Sequence, residues 1–389
     1  MTATVTPHSV IAPVPDPRVH GGRSMRLRTL ALWIGLLAAA VSFAGSWIPS
    51  FWGDEAASIM SAERPLSTLF PMLGRVDAVH GLYYLFLHGW INIFGASELS
   101  VRLPSAIGVG LAAAGTVVLA ALVGGMLATA GATYQGVFHN PLADPYLLGV
   151  AAGAGLGATL SIAYLPHTLS GHELLPLAAF VGGSVAVVIA YSIGRAAGRE
   201  RDSATLVLAG VTVASFFTAL QTFVQQRNTD TLQEVTSWIL GSLPNTGWSD
   251  VRTLAPYVLV ATAVIVALRR VVDVLSLGDL EAESLGIHVR RVRLALVVAA
   301  TVGTAAAVAV SGLIAFVGII VPHAVRLVVG TSYRGLLPLS FVVGAGFLVL
   351  CDVIARTALS PAEVPIGVVT ALFGAPAFAL VLRTRGSRA

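Results

Sequence analysis

Apolar runs of about 20 residues recur along this chain, each long enough to cross roughly 30 Å of hydrocarbon as a helix. No water satisfies peptide groups inside a bilayer, so spanning elements are restricted to α-helices or a closed barrel. Barrel strands would read as short segments of alternating polarity, and these runs do not alternate. The expected fold class is all-α, a polytopic membrane protein with about ten transmembrane helices. The expected spans are Leu27–Ile48, Pro104–Val137, Leu147–Leu165, Leu174–Ile193, Ala204–Val224, Leu254–Val271, Val292–Gly312, Leu313–Val329, Leu337–Ile354 and Val364–Leu382. Leu82–Phe94 is a weaker candidate, too short to cross comfortably. Only 11% of residues are charged, against roughly 25% in soluble domains.

All 23 Lys/Arg-type cations are arginine. A phosphate-binding loop of the form GxxxxGK[ST] is therefore impossible, because its lysine is missing. Any ATP energy must enter through another subunit, and no cofactor is expected on this chain. The single cysteine, Cys351, excludes an intrachain disulfide. Arginine placement orients the bundle. With ten spans and the N-terminus inside, Arg18, Arg23, Arg26, Arg28, Arg195, Arg199, Arg201, Arg269, Arg270, Arg290, Arg291, Arg293, Arg334, Arg383, Arg385 and Arg388 are cytoplasmic. Only Arg64, Arg75, Arg102, Arg227, Arg252 and Arg356 fall outside, and Arg326 sits at a span edge. The basic balance thus reflects cytoplasmic loops in contact with lipid rather than a nucleic-acid face. Residues 1–24, Pro-rich and polar, read as a disordered tail.

Between two of the apolar runs lies an eighteen-residue polar island, Ser276–Arg293, SLGDLEAESLGIHVRRVR. Its acids come first and its arginines last, beside the next span. A loop that only turned the chain would be shorter. The island reads as short helical turns presenting a folded surface on the cytoplasmic side, or as a solvated loop helix with dipole-matched charges. Three further stretches stand out. Gln135–Gly157 reads QGVFHNPLADPYLLGVAAGAGLG, with Asn140-Pro141 and Asp144-Pro145 breaking a helix on the cytoplasmic side. Ser311–Leu327 reads SGLIAFVGIIVPHAVRL and is joined to Tyr333–Leu337. Cys351–Pro376 reads CDVIARTALSPAEVPIGVVTALFGAP.

Together these four stretches resemble the FecCD-type permease subunits of ABC importers for iron–siderophores, haem and vitamin B12, in the family's order, from about Leu122 to Leu382. The resemblance implies a ten-helix bundle acting as a homodimer or close heterodimer. It implies a cytoplasmic ABC ATPase and an extracytoplasmic substrate-binding protein as partners, and the cytoplasmic membrane as location. It makes the island an ATPase-coupling loop, with Gly278, Asp279, Glu281, Leu285 and Gly286 at the matching positions. It places Arg356 and Glu363 where the family meets its binding protein. Ferric siderophore is the first cargo it suggests, with haem and cobalamin as alternatives.

Other residues carry two readings. His323 and Arg326 share a helical face near the inner end of a span, where an arginine reaches headgroups or serves function. Asp352 reads as a helix-end polar residue. Thr212, Ser215, Thr218 and Thr222 recur at spacings of three and four on the fifth span, as a pathway lining or as a helix–helix seam.

Residues 25–121 are atypical for that family. FWGDEAAS at 51–58, DAVHGLYY at 77–84 and FGASELSVRLPS at 94–105 resemble the start of a GT-C-type membrane mannosyltransferase that uses a polyprenyl-phosphate donor. That resemblance makes Asp54 and Glu55, with Asp77 and His80 weaker, an alternative glycosyltransferase site in which a carboxylate activates a hydroxyl. The expected organisation is tail 1–24, mannosyltransferase-like segment 25–121 and permease domain 122–389, either a working permease or a non-functional fusion. The seam falls inside Pro104–Val137. Its 34 residues measure about 51 Å as a helix, so the run kinks near Gly124-Gly125 or projects from the bilayer.

Overall fold

The computed structural model describes residues 53–73, 80–165, 171–196, 203–243, 247–359 and 362–386, with Leu36 and Ala40. The expected tail 1–24, nearly all of the span Leu27–Ile48, and Asp77, Ser360 and Pro361 lie outside the described residues. Among the described residues the elements are helical, apart from one isolated bridge between Leu359 and Ala362. The α-helices in order are α1 Gly53–Ala62, α2 Leu66–Leu73, α3 Gly81–Phe94, α4 Glu98–Val137, α5 Val150–Tyr164, α6 Gly171–Ala196, α7 Ser203–Arg227 and α8 Leu232–Ile239. Then follow α9 Trp248–Ala267, α10 Arg269–Leu275, α11 Asp279–Ser284, α12 Val289–Ser311, α13 Val317–Val329, α14 Tyr333–Thr357 and α15 Ile366–Gly386.

Six of these, α4, α6, α7, α9, α12 and α14, are long and apolar enough to cross a membrane. Three shorter apolar helices, α5, α13 and α15, occupy the other expected spans among the described residues. Two spans are shorter than expected. Leu147–Leu165 does not start as an α-helix: Pro145–Leu148 is one 3-10 turn, and Gly149 (φ 82°) re-aims the chain before α5 begins. Leu313–Val329 begins irregularly, because Gly312 (φ 68°) ends α12 and Phe316 (φ 69°) holds the chain out of the helix until Val317. At 15 and 13 residues, α5 and α13 measure about 22 and 20 Å, so irregular backbone completes their crossings. α3 has 14 residues, about 21 Å, with Leu82, Ile93 and Phe94 exposed, and does not reach a spanning length.

The chain divides into two compact units, Met1–Ala114 and Gly115–Ala389, so the boundary lies a few residues before the expected one at 121/122. In the first unit Ile59, Ala62, Leu87 and Val101 form a small core with Ile91 and Ala96 against it. The Trp90 indole donates to the Ser100 carbonyl (2.9 Å), and His88 Nδ1 lies 2.6 Å from the Ala62 carbonyl oxygen.

The second unit is built around the C-terminal half of α4. Every residue from Val123 to Phe138 is buried. This explains why that stretch is apolar all round rather than on one stripe. α4 runs unbroken through Gly124-Gly125, so the expected kink is absent. These glycines serve close packing instead: a Cβ on Gly124 would overlap the Gly344 carbonyl of α14, and one on Gly131 would overlap the Gly318 backbone of α13. Lipid offers no hydrophobic drive between helices, so small residues that bring backbones together supply dispersion contact. α5 and α6 repeat the device through Gly153 and Gly182.

A side chain at Gly131 must displace the Gly318 backbone of α13. Gly131→Val is expected to destabilise the bundle by about 1–3 kcal/mol or more, seen as a lower melting temperature of the detergent-purified protein. Gly346, on the same helix as Gly344 but with nothing within 4 Å of a built Cβ, is the control. Gly346→Ala should hold or raise the melting temperature, since alanine is favoured over glycine in a helix by roughly 0.5–1 kcal/mol.

Candidate functional site

The polar island folds into one defined element. α11 has six residues between Gly278 (φ 145°) and Gly286 (φ 79°), both in backbone conformations that suit only glycine. Its C-terminus closes with a Schellman pair: the Ile287 N–H donates to the Ala282 carbonyl (3.1 Å) and the Gly286 N–H to the Glu283 carbonyl (2.9 Å). Ala282 and Val289 are fully or nearly fully buried beneath it. On the other side Leu277, Leu280 and Leu285 are 72%, 70% and 67% exposed, alongside exposed Glu281 and Glu283. Three leucines uncovered to that degree on a rigid, charged element form a surface suited to a protein partner. Leu277 and Leu280 escaped the sequence reading. Their spacing with Leu285 was the available signal, masked by the acids between them.

Asp279 does not join that surface. Its carboxylate meets the Arg293 guanidinium at 2.6 Å, both side chains less than a fifth exposed. The arginines expected to close the island lie instead in the first turns of α12. Cations at a helix N-terminus are electrostatically unfavourable, and Asp279 offsets one of them while tying α11 to a span. The lead-in helix α10 is tied separately. Asp273 accepts from the Tyr333 backbone N–H (2.5 Å) and the Ser332 hydroxyl (3.1 Å), with Arg334 Nε 3.5 Å away. Asp273 thereby caps the N-terminus of α14 from a different element, placing negative charge where the dipole favours it.

The helix-break motif turns back against the bundle. Asn140 Oδ1 accepts from the Leu142 N–H (2.9 Å), and Asp144 Oδ1 caps the 3-10 turn through the Tyr146 N–H (2.8 Å). Pro141 is half-buried, and Pro145 is buried against Gly318. The Tyr146 hydroxyl donates to the Ile314 carbonyl (3.0 Å) and accepts from the Ile314 N–H (3.1 Å). His139, a non-glycine residue at φ 50°, is fixed by a 2.5 Å bond from Nε2 to the Leu275 carbonyl. Arg326 turns inward rather than to headgroups: Nη1 donates to Gln135 Oε1 (2.6 Å) and Nη2 to the Tyr333 hydroxyl (3.3 Å).

At the end of the 25-residue helix α14 opposite the Asp273 cap, Arg356 and Glu363 lie 3.7 Å apart. Arg356 also donates to Asp352 (2.9 Å) and to the Leu243 carbonyl (3.0 Å), beside a cavity of about 210 Å³. Asp352 is thus the helical partner of Arg356, four residues away. Thr212, Ser215, Thr218 and Thr222 lie exposed along one side of α7. The hydroxyls of Thr212, Ser215 and Thr222 bond the carbonyl four residues back at 2.9 Å, which leaves a smooth, weakly polar face. Asp54 and Glu55 lie on α1, and their side chains are outside the described residues.

Comparison with known proteins bears on the family and the fold. The FecCD transport family matches residues 109–384. The ABC transporter permease YvrB of Bacillus subtilis strain 168 is 41% identical over 70% of this chain and 78% of its own length. The cobalamin import system permease BtuC of Halobacterium salinarum is 42% identical over 70% and 72%. The Fe(3+) dicitrate permease FecC of Escherichia coli K12 is 35% identical over 69% and 80%. In structure, the chain is similar to a metal-chelate type ABC transporter in an inward-facing conformation, with a TM-score of 0.64, 25% identity, and coverage of 92% of this chain and 99% of that one.

The Tyr146 clamp is testable. Tyr146→Phe leaves both Ile314 peptide groups without their partner, at a cost of about 1–3 kcal/mol each. Hydrogen exchange over residues 312–318 should rise and the melting temperature fall. Tyr164→Phe, on the exposed end of α5, should change neither.

Proposed function

The chain belongs to the FecCD transport family and is a permease subunit of an ABC importer, and from that premise we propose that it moves a ferric siderophore inward, driven by a separate cytoplasmic ATPase that docks on α11. It is a multi-pass protein of the cytoplasmic membrane and is not itself an enzyme.

The observation that carries the ATPase reading is the exposed trio of Leu280 on α11, with Leu277 just before it and Leu285 just after it, on an element locked at both ends. Burying a leucine side chain is worth roughly 1.5–3 kcal/mol, so three offer enough to hold a partner once the entropy of association is met. Glu281 and Glu283 border the trio and would select basic residues in the receiving groove. Asp279 contributes indirectly, by fixing α11 to α12. ATP is used by that partner and no cofactor is held here.

Two further contacts belong to the same reading. A second permease subunit, identical or closely related, would pack beside the face of α7 that carries Thr212, Ser215, Thr218 and Thr222. The weakly polar hydroxyls there suit a passage for a large, soft chelate that must not bind tightly. An extracytoplasmic binding protein would dock at the Arg356 end. Asp352 and the Leu243 carbonyl orient that guanidinium, and a docking side chain would compete with the longer Glu363 contact at 3.7 Å.

Leu280→Asp and Leu285→Asp are expected to cut ATPase recovery in a pull-down at least tenfold and to abolish uptake, with the melting temperature of the isolated permease unchanged. Full ATPase recovery by both variants would sink the docking assignment. For cargo, the assembled importer in proteoliposomes should take up an iron-55 hydroxamate siderophore in an ATP-dependent way that excess cobalamin and haemin do not suppress. Uptake of radiolabelled cobalamin or haemin in its place would reassign the substrate.

A further inference from the structure

A continuous polar chain runs from the lead-in of α11 to the helix-break motif. It begins at Asp273 on α10, which holds the first turn of α14 through the Tyr333 N–H and the Ser332 hydroxyl. The Tyr333 side chain, 7% exposed, carries it onward: its hydroxyl accepts from Arg326 Nη2 at 3.3 Å, and the guanidinium carbon lies 5.8 Å from the ring centroid. Arg326 Nη1 then donates to Gln135 Oε1 at 2.6 Å. Gln135, 3% exposed, spends its amide N–H groups on two backbone carbonyls, Gly318 of α13 at 3.1 Å and Ala143 at 3.4 Å. Four elements and one irregular segment are thus joined by one run of hydrogen bonds, four of them charge-assisted, two at Asp273 and two at Arg326.

Packing alone does not require this arrangement. An arginine in an apolar helix is costly, and the glycine contacts of α4 already bring α13 and α14 together. The network adds register between parts that packing leaves free to slide: the start of α14, the inner end of α13 and the Asn140–Gly149 segment. Tyr146, within that last segment, also clamps the irregular backbone at Ile314 that leads into the other end of α13.

We propose that Arg326 and Gln135 are positioning residues for transport, holding α13 and the Asn140–Gly149 segment to the α10–α11 element so that displacement of α11 by the ATPase moves them together. The inference rests on the assignment of α11 as the ATPase contact. It is separate from the Asp279–Arg293 tie, which leads to α12. Coupling of this kind needs a direct test, since spatial continuity alone does not establish it.

The test is hydrogen exchange on the assembled importer, permease with its ATPase, with and without a non-hydrolysable ATP analogue. In the parent complex the analogue should change exchange in both 276–288 and 140–149. In Arg326→Gln the response of 140–149 should fall at least fivefold while that of 276–288 persists. Tyr333→Phe, which removes only the hydroxyl, should give a partial loss, and the double variant should be no worse than Arg326→Gln alone. Arg326→Lys, which keeps a cation for Gln135 but cannot reach both partners, should fall between. An undiminished 140–149 response in Arg326→Gln and Tyr333→Phe overturns the proposal. So does equal loss in both segments with a lowered melting temperature, which marks the network as structural only. No response at 276–288 in the parent complex instead overturns the α11 assignment, a distinguishable failure.

Discussion

Backbone polar groups that leave a helix inside an apolar bundle must find partners within the protein, because no water reaches them there. Much of this chain's architecture follows from that requirement. α5 and α13 are too short to cross alone, so the segments before them run as irregular backbone among packed helices. Tyr146 answers the problem for Ile314, meeting its N–H and its C=O with one hydroxyl. Gln135 answers it for Ala143 and Gly318. On the outer side the loop before α15 does the same with backbone alone, Ile366 and Gly367 donating to Gly241 and Leu240. Each partner comes from a distant part of the chain. The irregular segments therefore become the places where separate helices are locked together rather than weak points.

Close backbone approach makes those partners available. With Gly131 against Gly318 and Gly124 against Gly344, α4 sits near enough to α13 for the Gln135 amide to span the gap. A larger residue at either contact would separate the helices and take Gln135 out of reach of the Gly318 carbonyl. Dispersion contact and polar satisfaction are thus coupled in one geometry. The charges at the two ends of α14 fit the same scheme. Asp273 caps its start, and Arg356 bonds Asp352 and the Leu243 carbonyl near its end.

The nine expected spans that fall among the described residues were legible because run length and hydropathy survive whatever packs around them. The breaks at Gly149 and Gly312–Phe316 were not, since short irregular segments of Leu, Ile, Ala and Phe carry the same hydropathy as the helices they interrupt. The packing role of the glycines at 124 and 125 was hidden for the same reason: composition shows that a residue is small but not what lies against it. The island was readable as a short charged helix, but not the division of labour within it. Asp279 faces inward because Arg293 lies fourteen residues on, in the next span. Asp273 carries no sequence signal for its capping role, because its partner Tyr333 is sixty residues away. The two readings of Arg326, at headgroups or in a functional role, stayed open in the sequence because the residues that receive it, Gln135 and Tyr333, sit on other helices. Contacts of long sequence separation leave no periodic trace, and they carry the specificity of this site.

Rigidity of α11 has an energetic reason. A flexible loop bearing three leucines would lose conformational freedom on docking, about 1–2 kcal/mol per backbone residue fixed, which would consume much of what the leucines contribute. Gly278 and Gly286 set the ends of α11 in advance, and buried Ala282 and the Asp279–Arg293 pair seat it. A partly buried ion pair of this sort adds little net stability once desolvation is counted. Its value here is directional: it fixes which face of α11 stays exposed and which span the element is tied to. A pre-organised docking element spends its binding energy on the partner instead of on its own folding. A subunit that must convert a partner's closure into displacement of its own helices needs that economy at the point of contact.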